Sequence, residues 1–160
     1  MPVYHITLHA YGTWMPDREE GFVRRHEGIQ PPDETFDYFY RLRANESAAE
    51  FTETIQRMLI EETITAAKYQ RWRVHYVATE PTHVHTLASW RDERKVKKLV
   101  AGLKSSLTRK LNAAVERRTW LVEGKSAVQV KDDDHFNHLI LNYLPGHSGW
   151  KWSEHDGWLK

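Results

Sequence analysis

"WRVHYVATEPTHVHTLASW", residues 72–90, holds the pattern that decides how this chain folds. Its first half, residues 72–80, alternates apolar and polar side chains and reads as a β-strand. It passes through Pro81-Thr82 into a second strand, a link so short that it suggests an antiparallel hairpin. In that second strand His83 and His85 are two apart, so their side chains leave one face and sit close together. Val84 and Ala88 point the other way and give the core its side. Two imidazoles on one face can reach one cation, and the same geometry serves a solvated polar face. The hairpin leaves both readings open.

Outward toward the N-terminus, "VYHITLHAYGTW" (3–14) sets Tyr4, Ile6, Leu8 and Ala10 against His5, Thr7, His9 and Tyr11. This predicts another strand, with His5 and His9 on a polar face and that face of the sheet open and rich in histidine. Residues 15–45 have no clear period and contain Gly21, Gly28 and Pro31-Pro32, the pattern of a long functional loop or insertion. The aromatic stretch "FDYFY" (36–40) allows a helical turn within it. "SAAEFTETIQRMLIEETITAAKYQ" (47–70) predicts a helix, with Ser47 and Glu50 as a capping box and Phe51, Ile55, Met58 and Leu59 on one face.

Beyond the hairpin, residues 92–114 return to helical spacing, with Val96, Leu99, Val100, Leu103, Leu107 and Leu111 on one stripe. "SAVQVK" (126–131) is a short fourth strand, and Asp132 to Asp134 can cap a last helix, "HFNHLILNYL" (135–144), ending near Pro145-Gly146. The order β-α-β-β-α-β-α predicts an α+β domain over residues 1–160. Its antiparallel sheet is ferredoxin-like (RRM-like), with helices on one face plus a C-terminal tyrosine-bearing helix.

Composition narrows the chemistry. The 160 residues include no cysteine, which removes disulfides, thiolate metal sites and a cysteine nucleophile. Ten histidines leave ample supply for a nitrogen-ligated metal. No apolar run approaches membrane-spanning length, and "MPVYHITLHA" lacks a basic segment followed by an apolar one, so the expectation is a cytoplasmic protein with no membrane partner. A net charge of +1 is too small to imply a nucleic-acid partner, but its distribution is uneven. Residues 91–118 hold ten Lys or Arg (Arg91, Arg94, Lys95, Lys97, Lys98, Lys104, Arg109, Lys110, Arg117 and Arg118) against three acids. They form either the solvated back of an amphipathic helix or a surface that contacts phosphates without reading sequence.

Tyr143 also reads two ways. With Phe136, Leu139 and Ile140 it completes an apolar stripe, which makes it a core residue. A tyrosine beside a metal-polarised electrophile can instead act as a nucleophile. His147 follows four residues later, the spacing that shares a helix face, but Pro145-Gly146 intervenes.

Together, His83-Val84-His85 on a sheet strand and the downstream "NYLPGH" (142–147) resemble the single-tyrosine HUH transposases, and among them the REP-associated tyrosine transposases of bacteria. The opening "ITLHAYGTWMPDREEGFV" (6–23) is similar to the start of many such proteins. The resemblance covers nearly the whole chain. It implies a metal-dependent enzyme that nicks single-stranded, hairpin-forming DNA and transfers the strand through a 5′-phosphotyrosine link. It implies Tyr143 as nucleophile, and His83, His85 and the residue at position 147 as ligands of Mg²⁺ or Mn²⁺. By the same resemblance the partner is single-stranded or hairpin DNA, the protein is nucleoid-associated, and it acts as monomer or homodimer. The basic residues Arg91, Arg94, Lys95, Lys97, Lys98, Lys104, Arg109 and Lys110 would then bind DNA.

The chain departs from the family pattern at several points. Thr82 stands where Asn is common, Thr86-Leu87 where two bulky aliphatics are usual, and His147 where the third ligand is usually Gln or Asn. Three imidazoles shift metal preference toward Mn²⁺ or Zn²⁺. Two other functions fit the same residues: a domesticated, non-catalytic DNA-binding protein of this fold, and a three-His metal hydrolase. An ordinary RRM is weaker because no aromatic-rich RNP-type strand is present.

Overall fold

The computed structural model describes residues 1–13, 22–24, 28–30 and 47–160, the two short middle segments by their backbone pairing alone. The elements are β1 (Val3–His9), β2 (Phe22–Arg24), β3 (Gly28–Gln30), α1 (Glu53–Gln70), β4 (Arg73–Glu80), β5 (His83–Ser89), α2 (Val96–Ala114), β6 (Ser126–Gln129), α3 (Asp133–His138, continued as a π-helical turn over Leu139–Tyr143), β7 (Lys151–Ser153) and β8 (Gly157–Leu159). Six strands form one antiparallel sheet in the order β6-β1-β5-β4-β7-β8. The four strands on the β6 side reproduce the expected ferredoxin-like order. β7 and β8 extend the sheet beyond β4 and were not anticipated, because three residues are too few to show a period. The expected loop over residues 15–45 contains the paired strands β2 and β3; the helical turn expected at 36–40 lies outside the described residues.

The hairpin forms as read. β4 and β5 pair from Glu80↔His83 to Arg73↔Ser89 across Pro81-Thr82, with one register shift between Val74 and Tyr76. Alternation then sorts the side chains onto two faces. Ile6, Leu8, Val74, Val77, Val84 and Ala88 pack under α1 and α2, with Leu59, Ile60, Leu99, Leu103 and Leu107 closing the main core. The other face is not open. A second apolar cluster of Tyr76, Ala78, Leu87, Leu139 and Leu144 forms where α3 and its π turn lie across it. α1 and α2 therefore share one face, and the tyrosine-bearing helix takes the opposite one.

Two caps test the expected helix starts. Asp132 caps α3, its side chain accepting from His135 N at 2.8 Å. α1 begins later than expected, because Thr52 accepts from Ile55 N at 3.3 Å and serves as N-cap in place of Ser47. Phe51 is fully buried just ahead of that cap. No helix among the described residues is long and apolar enough to cross a membrane.

Candidate metal and nucleophile site

β1 and β5 pair with His9↔His83 and Thr7↔His85 in register, so their histidines rise on one face at neighbouring positions. The ring centroids of His5 and His85 are 5.0 Å apart, those of His83 and His85 are 4.8 Å apart, and those of His9 and His83 are 5.6 Å apart. His147 arrives from the other side. Its ring lies 4.4 Å from that of His85 and 5.8 Å from that of His83. Ligand atoms of His83, His85 and His147 all lie within 4.8 Å of one another. The Pro145-Gly146 break does not keep His147 away; the chain turns there and brings it in.

Hydrogen bonds fix which nitrogens face the cluster. His147 Nδ1 lies 3.1 Å from the Leu144 carbonyl. A carbonyl only accepts, so Nδ1 carries a proton, and Nε2 is the nitrogen that can offer a lone pair when the ring is neutral. His85 is 3% exposed, and its Nδ1 is 2.9 Å from both His5 Nε2 and Thr7 Oγ1. Its Nε2 is buried without a hydrogen-bond partner. With Nδ1 donating to either neighbour, the buried Nε2 keeps its lone pair, which is how an imidazole is prepared to hold a cation. The donor set fits a divalent metal, and three nitrogens with no oxygen among them fit a borderline-soft ion better than Mg²⁺. His83 Nδ1 is 2.9 Å from Thr82 Oγ1, and its Nε2 is 3.8 Å from Glu80 Oε2.

Crowding makes protonation costly in this cluster. Burial, then the fields of His147, His5, His83 and His9, lower the His85 pKa to about 2. Burial, followed by His147 and His135, lowers that of His5 to about 4. Both rings are neutral at ordinary pH.

Tyr143 is not the core residue that its helical stripe allowed. The π turn, closed by Leu144 N donating to Leu139 O at 2.9 Å, spaces the buried positions five apart. Leu139 and Leu144 take the interior, and Tyr143 is left 44% exposed at the edge of the cluster. Its ring centroid is 5.0 Å from that of His147 and 5.6 Å from those of His5 and His85.

The basic residues are elsewhere. α2 packs on the sheet face opposite the histidines, so its cations do not line this site. Arg94 is held by Asp92, with Nε 2.9 Å from Oδ1 and a terminal nitrogen 2.6 Å from Oδ2. Lys104 turns inward and donates to the carbonyls of Val122 and Gly124 at 2.9 and 3.1 Å. Arg91, Lys95, Lys97, Lys98, Arg109 and Lys110 are exposed.

Sequence reasoning missed Lys151, which is 6% exposed on the histidine face and donates to the carbonyls of His147 and Gly149. Burial lowers its pKa, while Glu80 pulls it back up. It also gave no role to Thr7, although alternation already set that residue beside His5 and His9.

No family model matches the chain, and no curated protein does. Solved structures share its fold, among them the two that follow. A REP-associated tyrosine transposase bound to a REP hairpin matches at a TM-score of 0.52 and 8% identity, over 90% of this chain. The present chain spans 64% of that protein's chain. A candidate transposase from Deinococcus radiodurans R1 matches at a TM-score of 0.52 and 13% identity, over 93% of both chains.

Proposed function

We propose that this domain is a metal-dependent transposase that nicks single-stranded, hairpin-forming DNA and transfers the cut strand through Tyr143. The observation that carries the reading is the exposed Tyr143 ring set against a cluster of three imidazoles able to share one cation. The fold shared with the hairpin-bound transposase supports it. His83, His85 and His147 would hold the metal, and a bound divalent cation offsets the charge that grows on a scissile phosphate.

The chain's own part is nucleophilic. Tyr143 Oη forms the new bond to phosphorus, and the bond from phosphorus to the 3′ oxygen breaks. The proton lost by the phenol is balanced by one gained on the departing oxygen, leaving a 5′-phosphotyrosine and a free 3′-hydroxyl. The covalent link keeps the bond energy for rejoining strands. His5 and Thr7 orient His85 through its Nδ1, which is the kind of support that holds a ligand ring in place. Exposed cations of α2, on the far side of the sheet, would contact phosphates of the folded part of the DNA.

The test is incubation with single-stranded hairpin DNA and Mn²⁺. The unaltered protein should cut it, and His83→Ala should not, with its thermal unfolding in the absence of metal changed little. Cutting by His83→Ala at the unaltered rate removes the assignment. A second reading, a metal hydrolase using water, is favoured by the all-nitrogen donor set, which suits Zn²⁺. It predicts cleavage without a protein–DNA link.

A further inference from the structure

We propose that Lys151 is a positioning residue, which holds the third imidazole in the cluster by clamping the turn between the Tyr143 helix and β7. The proposal rests on His147 acting as a metal ligand, as argued above. His83 and His85 are placed by a long hairpin, paired on both sides of its one register shift, whereas His147 belongs to no helix or strand. Its position depends on what fastens residues 145–150.

His147 N donates back to Leu144 O at 3.3 Å, while the next three amides bond outward to the rest of the protein. Ser148 N donates to Glu80 Oε1 at 3.4 Å, Gly149 N to Thr79 O at 3.0 Å, and Trp150 N to Gln56 Oε1 at 3.1 Å. Two carbonyls turn inward, while that of Trp150 accepts from Thr79 N and Oγ1 at 3.0 and 2.6 Å. Those of His147 and Gly149 both accept from Lys151 Nζ, at 2.8 and 2.9 Å. A compact ammonium can bridge two carbonyls two residues apart only when the chain curls around it. The ammonium therefore sits inside the curl and ties these two carbonyls together.

Burying such a charge is costly, and a methionine stem would fill the same space without that cost. Packing alone therefore gives no reason for a lysine, whereas holding the main chain of His147 does. Its positive charge also opposes a nearby cation. The two effects have opposite signs, so the experiment can separate them.

Co²⁺ alone is the probe, titrated into unaltered protein, Lys151→Met, Lys151→Arg, His147→Ala and the Lys151→Met/His147→Ala double variant. Amide exchange is followed in the metal-free proteins. Lys151→Met should weaken Co²⁺ binding about 10- to 100-fold, the loss usual when the support of a ligand is removed. It should cause no further loss once His147 is Ala, and Lys151→Arg should recover part of the affinity. Without metal, the Ser148 and Gly149 amides of Lys151→Met should exchange about tenfold faster or more. Unchanged or tighter Co²⁺ binding, or an equal extra loss in the His147→Ala background, overturns the proposal. Unchanged exchange at these amides overturns it whatever the metal result. Faster exchange in a protein that binds no Co²⁺ supports the clamp and removes the metal reading instead.

Discussion

Lowering the pH of the metal-free protein from about 7.5 to about 5.5 should cost it a measurable part of its stability, with the burial of His75 adding to a loss that arises chiefly at His85 and His5. Burial and neighbouring imidazoles bring their pKa values down from 6.5 to about 2 and about 4. In the unfolded chain both rings protonate near 6.5, while in the folded chain they stay neutral well below that. The unfolded state thus binds more protons, and stability present above 6.5 is lost as pH falls. The loss continues to about 4 for His5 and about 2 for His85. One pH unit below the unfolded value, each ring contributes about 1.4 kcal/mol of lost stability, so the pair approaches about 3 kcal/mol. Against a typical total of about 5–15 kcal/mol, that is a readily measured fraction. Urea unfolding with EDTA present at the two pH values measures it, and His85→Gln should remove about half of the pair's contribution. A stability that is flat between these pH values, or the same slope in His85→Gln, would show that these rings are not held neutral by the fold.

Two further outcomes follow from the placement of other residues. DNA binding should weaken steeply with salt, and Lys97→Gln with Lys98→Gln should lower the slope of log K against log salt by about 1 to 2 while weakening all sequences alike; a salt-independent affinity would count against the DNA reading. At Gly149 an added Cβ would lie 2.3 Å from Thr79 O and 2.5 Å from Gln56 Oε1. Gly149→Ala should therefore destabilise by about 1–3 kcal/mol in thermal or urea unfolding, and an unchanged midpoint would contradict the close approach.

What could be read from residues alone was whatever has a short period. The β4–β5 hairpin, the sorting of His83 and His85 away from Val84 and Ala88, and the Asp132 cap all follow from alternation or from one local hydrogen bond. Three features lay beyond that reach. The π turn breaks the 3.6-residue stripe, so Leu144 is buried where Tyr143 was equally eligible. β7 and β8 are too short to show alternation, and with them Lys151 stays hidden, because its burial comes from a turn closed across Thr79 and Gln56. The cationic helix was legible as a helix, but which sheet face it covers depends on how the strands are connected in space.

The most direct measurement of the central claim is the search for a covalent link after hairpin DNA is cut in the presence of Mn²⁺. In the unaltered protein a DNA 5′-phosphate should be found joined to Tyr143. In Tyr143→Phe the ring should still pack at the edge of the histidine cluster, and DNA and metal should still bind. No adduct should form and nothing should be cut. Cleavage that persists in Tyr143→Phe with no adduct would rule out Tyr143 as the nucleophile and identify water as the attacking group.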